Sequence, residues 1–567
     1  MGFKERLTKE WLFWDGGTGS VLQSWGLQAG ELPETWNINY PEKIVELNKG
    51  YLEAGCDIIN TNTFGANRLK YPDNLEEIVT KAVEHAKKAR ELTGRTDALI
   101  ALDLGPTGKL LEPLGDLSFD DAVDIYAEVI EYGTKAGADV ILIETMQDSY
   151  ELKAAVLAAK EHSHLPVCAT VVFDEKGKML TGGTPESVVA LLEGLHVDAL
   201  GINCSLGPTQ IKPFVERMIK VSSTPIIVTP NAGLPQTDDE GHTYYDMNAD
   251  EFASEMKEIA SLNVHVLGGC CGTTPEYLSK TIALVKDLPI EPPVKKNISV
   301  VTSFSQAVEI GPKPVIIGER INPTGKKKFK QALRDGDINY ILSEGLKQED
   351  AGAHILDVNV GLPEIDEPKM MVEVMKKLQS VIALPLQIDT SDPIALEAAL
   401  RHYNGKAMIN SVNGKQESMD AVFPLVKKYG GVVVGLALDE EGIPDNAADR
   451  IRIAKKIYKE ASKYGIEPKD IVIDGLAMTI SSDPTSAIAT LETLRIIRDE
   501  LHGHSILGVS NISFGLPQRP IINANFFTMA MQSGLSAGII NPLSEDMMRS
   551  YYSFCALMNY DENCEKY

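Results

Sequence analysis

One pattern runs through this chain twice. Short β-branched runs alternate with amphipathic helical stretches, stop at a proline-rich break, and begin again. In the first half the runs cover residues 11–17, 57–64, 98–106, 140–146, 167–173, 199–205, 225–233 and 265–271. In the second they cover 314–322, 354–361, 384–391, 406–412, 431–439, 471–478, 504–513 and 537–543. Segments between them, such as 80–92 and 149–161, have helix-forming composition and apolar residues three and four apart. Strands separated by helices in this way form parallel βαβ units. Eight units close a parallel barrel, and a chain of 567 residues has room for two. The expected fold is therefore α/β, with two tandem (β/α)8 TIM barrels at 1–290 and 312–567 and a linker at 291–311. A doubly wound open sheet is the rival for either half, but no strand ends in the GxGxxG turn of a dinucleotide site. Barrel chemistry gathers at the C-terminal ends of strands, so the last residues of each run are the place to look.

Charge narrows the partners. Acidic side chains outnumber basic ones 80 to 54, for a net charge of −26. Such a surface repels phosphate backbones, so nucleic acid is not expected as a partner. The longest run without a charge, Pro520 to Ser544, is broken by Asn523, Asn525, Gln532, Asn541 and Pro542. It is not expected to span a membrane. The opening MGFKERLTKE is too charged for a signal peptide. Seven cysteines are too few for a disulfide framework and suit a reducing, cytoplasmic location.

Three of those cysteines stand at strand ends. Cys204 ends the sixth run in GINCSLGP, and Cys270 and Cys271 end the eighth in GGCCGTTP. In a closed barrel those two ends share one mouth. Three thiolates can fill three corners of a tetrahedron and leave the fourth open, as at a catalytic zinc. Buried cysteines are also ordinary small hydrophobes, the reading given to Cys56 and Cys168. The spacing matches no short zinc signature, so the residues alone leave both readings open.

The motifs DGGTGS (15–20), TNTFGANR (61–68), GINCSLGP and GGCCGTTP resemble the homocysteine S-methyltransferase module shared by cobalamin-dependent methionine synthases and betaine–homocysteine methyltransferases. The resemblance covers essentially all of 1–290. It implies that Cys204, Cys270 and Cys271 bind Zn2+ and act through it on the homocysteine sulfur. It also implies that Asp15, Gly16, Thr61 and Glu144 meet the amino-acid end of homocysteine. Asn231, in PNAG at the seventh strand end, is a candidate fourth metal ligand when substrate is absent.

The second mouth has no cysteine or histidine cluster. Its strand ends carry Glu319, Arg320 and Asn322, then Asp357 and Asn359, Asp389, Asn410, Asp474, Asn511 and Asn541. Asparagines at such places also cap helices. So many carboxylates and amides together, however, suit a ligand with several N–H donors in one plane, as in a pterin. GERINPTG, ILDVNVG, QIDTSDP, MINSVN and GVSNISFGLP resemble the pterin-binding domain of methionine synthases and of methyltetrahydrofolate–corrinoid methyltransferases over about 312–545. The resemblance assigns Asp389, Asn410 and Asp474 to the pterin ring, Asn511 to the neighbourhood of N5, and Glu319 and Asn322 to accessory roles. Asp474-Gly475 departs from the Asp-Pro of many relatives. Dihydropteroate synthases share this barrel but carry basic residues near their last strands. GIINPL at the eighth strand has none. Arg519 is read as a contact to a folate tail or as a surface residue.

Together the two modules resemble the N-terminal half of cobalamin-dependent methionine synthases. That implies methyl transfer from 5-methyltetrahydrofolate through methylcobalamin/cob(I)alamin to homocysteine. No DxHxxG motif for a corrinoid is present. The corrinoid is thus expected on a separate domain or protein. The alternatives are a homocysteine methyltransferase with another methyl donor, a dihydropteroate-synthase-like second domain, and a zinc-containing folate-binding scaffold.

Overall fold

The computed structural model describes residues 2–237 and 243–567. The chain divides into two compact units, one ending at Lys296 and the next beginning at Asn297.

In the first unit the strands are β1 (Leu12–Phe13), β2 (Ile58–Asn60), β3 (Leu99–Leu104), β4 (Val140–Met146), β5 (Val167–Val171), β6 (Ala199–Asn203), β7 (Ile226–Thr229), the short antiparallel pair β8 (Pro235–Thr237) and β9 (Thr243–Tyr245), and β10 (Val266–Leu267). The eight parallel strands run in order from β1 through β10, β7, β6, β5, β4 and β3 to β2. A parallel bridge between Trp14 and Ile58 joins the two ends of that sheet into a ring.

The second unit has β11 (Ser299–Thr302), β12 (Ala307–Ile310), β13 (Val315–Ile321), β14 (Ile355–Val358), β15 (Leu386–Asp389), β16 (Met408–Asn413), β17 (Val432–Leu436), β18 (Ile471–Asp474), β19 (His504–Gly508) and β20 (Ala537–Ile540). Strands β13 to β20 form a closed parallel barrel. Strands buried on both faces read as near-continuous apolar runs, which is why they stand out in the sequence. Among the described residues no helix is long and apolar enough to cross a membrane.

Each barrel floor is plugged from its own chain start. In the first, Phe3 and Leu7 pack on Leu12, Ile58, Val140, Cys168, Ala199 and Val266. In the second, β11 and β12 pair antiparallel. Their Val301 and Ile310 pack on Val315, Ile355, Met408, Val432 and Ala537. Residues 299–310 fall inside the stretch expected as a linker. They take regular structure because one face of each short strand is apolar and has a barrel floor to cover.

The strands are also shorter than the apolar runs. The run 504–513 leaves its strand at Gly508 and turns into a 3-10 helix, Val509–Ser513. Three register shifts interrupt the barrel ladders, between Ile143 and Met146, Gly318 and Ile321, and Asn410 and Val412. Such bulges re-aim side chains. These three fall beside Glu144, Glu319 and Asn410.

Candidate functional site

At the first mouth the chain folds so that the cysteines meet. Cys204 follows β6 directly with φ at +54° and donates its N–H to Thr229 O at 3.1 Å. The Cys270 N–H reaches Pro230 O at 2.8 Å, and Cys271 O accepts from Ala232 N at 3.0 Å. Small residues make that path possible. A Cβ on Gly17 would lie 2.7 Å from Cys270 O, and one on Gly268 would lie 2.8 Å from Thr229 Cγ2. The result is one cluster in which the sulfurs of Cys204, Cys270 and Cys271 all lie within 4.8 Å of one another, with Cys204 and Cys271 at 3.8 Å. Hydrogen bonds from Cys204 and Cys270 hold the Cys271 thiol far below the usual range. The Cys270 thiol is pushed up in turn by its bonds to Cys204 and Cys271. Three soft donors of this kind, none of them in a disulfide, fit zinc.

The resemblance also pointed to four residues beside this cluster. Asp15 is buried and its Oδ2 accepts from Asn60 N at 2.7 Å. Gly16 has no room for a side chain, since a Cβ would come within 2.6 Å of Thr273 Oγ1 and 2.8 Å of the Tyr51 hydroxyl. Thr61 is buried, and its hydroxyl pairs with Thr63 Oγ1 at 2.7 Å and accepts from Asp103 N at 3.2 Å. Glu144 is half-buried in the β4 bulge, and burial with Cys271 beside it pushes its carboxyl up to about 7. Burial raises Asp15 as well. Asn231 is buried on the loop after β7, and its Oδ1 has no hydrogen-bond partner among the described residues.

Three further residues complete this mouth. Asp103, on β3, is buried, and burial followed by repulsion from Glu144 and Asp15 drives its carboxyl up. A cation placed among these three carboxyl groups would favour their charged forms and offset the cost of their burial. Asn203, the last residue of β6, donates to Glu144 Oε2 at 3.3 Å and lies 4.0 Å from Cys270 Sγ. Tyr245, on β9, stands beside the cluster, and burial followed by the charge of Cys271 raises its phenol. None of the three stands out as a site residue in the sequence alone; the one signal that could point to Asp103 and Asn203 is that each is a lone polar residue inside an apolar strand run, and Tyr245 carries no such signal.

The second mouth is built from acceptors in layers. Asp357 is buried and accepts from Gln387 Nε2 at 2.6 Å. Burial, with Asp389 next to it, raises its carboxyl strongly. Asp389 accepts from Asn359 Nδ2 at 3.0 Å, and burial pushes it up to about 6. Asp474 is likewise raised to about 6 by burial, although its Oδ1 accepts from Leu476 N at 2.8 Å. Adjacent β15 and β16 place Asp389 opposite Asn410, and β17 lies between β16 and the strand that ends in Asp474. Glu319 is half-buried with a raised carboxyl, and Lys326 Nζ donates to its backbone oxygen at 2.8 Å. Asn322 spends its Oδ1 on Thr324 N at 2.8 Å, which makes it a turn residue first. Asn511 is exposed on the 3-10 turn after β19. Arg519 secures that turn by donating to Ser510 O and Ser513 Oγ, both at 2.9 Å, and by lying 4.4 Å over the Phe514 ring.

Residues 12–284 match the family model described as homocysteine S-methyltransferase, and residues 318–541 match the one described as pterin binding enzyme. The chain is 31% identical to a methionine synthase of Mycobacterium tuberculosis over 566 residues, covering 93% of this chain and 47% of that protein. It is 31% identical to a methionine synthase of Mycobacterium leprae over 577 residues, covering 95% and 48%. The chain thus spans about half the length of the curated relatives it matches. Among solved structures, the homocysteine methyltransferase MmuM from Escherichia coli in its metallated form is 22% identical, with a TM-score of 0.42, covering 48% of this chain and 96% of that one.

Proposed function

We infer that this chain, which joins a homocysteine S-methyltransferase domain to a pterin-binding domain, performs the two ends of one methyl transfer. The methyl group leaves N5 of 5-methyltetrahydrofolate at the second mouth, travels on a corrinoid held by another domain or protein, and ends on the sulfur of homocysteine at the first. The products are tetrahydrofolate and methionine, with one proton passing to N5. The observation that carries this reading is the sulfur cluster of Cys204, Cys270 and Cys271 set beside Glu144.

Zinc held by these cysteines supplies the Lewis acidity that keeps a substrate thiol deprotonated and nucleophilic at neutral pH. The other side chains bind and orient. Asp15, Asp103 and Glu144 take the ammonium group, whose charge offsets the burial, and the nearby negative charge, that drive their carboxyls up. Gly16 lets the backbone beside Asp15 pack closely on Thr273 and Tyr51, and Thr61 fixes the backbone at Asp103 through its hydroxyl. Asn231 can turn its unpartnered amide oxygen toward the cluster.

At the second mouth Asp389, Asn410 and Asp474 receive the in-plane N–H groups of the pterin, with Asn359 and Asp357 behind them. Asn511 sits on a turn pinned by Arg519. An amide does not titrate usefully, so its role is orientation and charge stabilisation rather than acid catalysis. Glu319 and Asn322 shape the rim.

The test supplies the corrinoid in trans. Purified protein is incubated with methylcobalamin and homocysteine, and separately with cob(I)alamin and methyltetrahydrofolate. Methionine in the first arm and methylcobalamin in the second are expected. Methionine without methylcobalamin would select a homocysteine methyltransferase with another donor. Neither product would overturn the reading.

A further inference from the structure

We propose that Asn203 is a positioning residue that fixes the spacing between the ammonium pocket and the sulfur cluster, and so selects homocysteine over shorter amino thiols. The inference rests on the homocysteine and zinc reading above and adds a determinant to it.

Asn203 is fully out of solvent, at 0% exposure. Its amide orientation is fixed by chemistry. Oδ1 accepts from the Thr145 backbone N–H at 2.9 Å, a group that can only donate, and from Thr170 Oγ1 at 2.9 Å. Nδ2 must therefore face the other way. There it meets Thr145 Oγ1 at 2.7 Å, Glu144 Oε2 at 3.3 Å and Cys270 Sγ at 4.0 Å. A single nitrogen thus stands within reach of one carboxylate of the ammonium pocket and one sulfur of the cluster.

The surrounding backbone needs such a clamp. Thr145 has φ of +60° and Cys204 has φ of +54°, a region that costs energy for residues other than glycine. Thr145 lies in the β4 bulge that aims Glu144, and Cys204 follows Asn203 in the chain. Both Thr145 groups, N–H and hydroxyl, bond to the Asn203 amide. Asn203 therefore holds the Glu144 arm and the cysteine arm in one frame. Homocysteine and cysteine differ by one methylene between the amine and the sulfur. A frame with a fixed span accommodates one of them, whereas a slack frame tolerates both.

The test measures dissociation constants of homocysteine and cysteine by calorimetry on zinc-loaded protein, for wild type, Asn203→Ala and Asn203→Asp. The aspartate variant keeps the acceptors for Thr145 and Thr170 and replaces the donor facing Glu144. Wild type should favour homocysteine, and both variants should lose about tenfold or more of that preference. In cobalt(II)-loaded protein the sulfur-to-metal charge-transfer bands should shift in both variants, because the amide facing Cys270 is altered. Should neither variant fold, Thr170→Val removes one bond to the Asn203 oxygen and should lower the preference about two- to threefold. An unchanged preference in folded, metal-loaded variants, with unshifted bands, overturns the proposal. Wild-type protein that binds neither zinc nor homocysteine would overturn the functional reading instead.

Discussion

Arg450 donates Nη1 to the carbonyl oxygens of Gly475 and Leu476, at 2.7 and 3.0 Å, from a position 1% exposed. Leu476 has φ of +58° and returns its N–H to Asp474 Oδ1. A buried cation thus holds the left-handed turn that presents Asp474. Replacing Arg450 by Met should strip its donors from the Gly475 and Pro444 carbonyls, leave Leu476 O to Thr490 Oγ1 alone, and cost about 2–4 kcal/mol of stability. Folate binding should weaken in parallel, while zinc binding at the cysteines stays unchanged. Denaturant titration beside equilibrium folate binding checks both. Intact folate affinity in a destabilised variant would show that the turn holds its shape without Arg450.

The cysteine cluster predicts one tightly held zinc per chain. Replacing Cys204, Cys270 or Cys271 by Ala should abolish binding at micromolar zinc while circular dichroism stays that of the wild type, because all three sit at a strand-end rim rather than in the apolar layers. Cys56 and Cys168 lie within apolar clusters. Their replacement by Ala should cost stability but leave the metal content at one. Metal analysis of each variant decides the matter.

Both barrels were legible because a parallel strand buried on two faces writes itself as an unbroken apolar run. Cys204, Cys270 and Cys271 were legible as site candidates because they end such runs. Asn203 went unread although it directly precedes Cys204, since only its paired bonds to Thr145, Glu144 and Cys270 reveal a role. Asp103 was hidden in the same way within 98–106. The bulges that aim Glu144 and Glu319 leave no mark, because a register shift alters pairing and not composition. The pair β11–β12 hides within the expected linker because each strand is four residues long, too short for a period to show. Tyr245 lies in β9, one of two paired strands of three residues each, too short for a period to show.

Asp474 predicts a pH dependence of defined sign. Burial raises its folded pKa to about 6, above its ordinary value of 3.8. Folding therefore favours the protonated form. The stability this group contributes is fully present below the unfolded value and is lost as pH rises through about 6. Asp474→Asn removes the penalty for holding a buried charge. At pH 8 the variant should be more stable than wild type by about 1–3 kcal/mol, and the gap should close by about pH 4. Its folate dissociation constant should rise, because an amide cannot accept on both atoms. Thermal melts from pH 4 to 8 check the sign. A gap that widens toward low pH would mean the carboxylate is stabilised by the fold rather than penalised.

Asn511 predicts a split between rate and affinity. It stands exposed on the 3-10 turn after β19, while Asp389, Asn410 and Asp474 line the barrel strands themselves. The strand residues should hold the pterin ring equally in the ground and transition states. Loss of Asp389 or Asp474 should cost about 1.5–3 kcal/mol of binding, the range for a hydrogen bond to a charged group, and loss of the neutral Asn410 about 0.5–1.5 kcal/mol. N5 gains basicity only as the methyl group departs, so an amide near it strengthens its bond in the transition state alone. Removing such an interaction slows the reaction and spares ground-state affinity. The turn is held rigid by Arg519 through Ser510 and Ser513, so its donor needs little reorganisation. Asn511→Ala should therefore slow methyl transfer to cob(I)alamin by about 10²-fold or more, the scale seen for lost preorganised donors. Stopped-flow transfer with the corrinoid in trans, set beside equilibrium folate binding, separates the two effects. Equal losses of rate and affinity would make Asn511 an ordinary binding residue. A full rate at saturating folate would remove it from the chemistry.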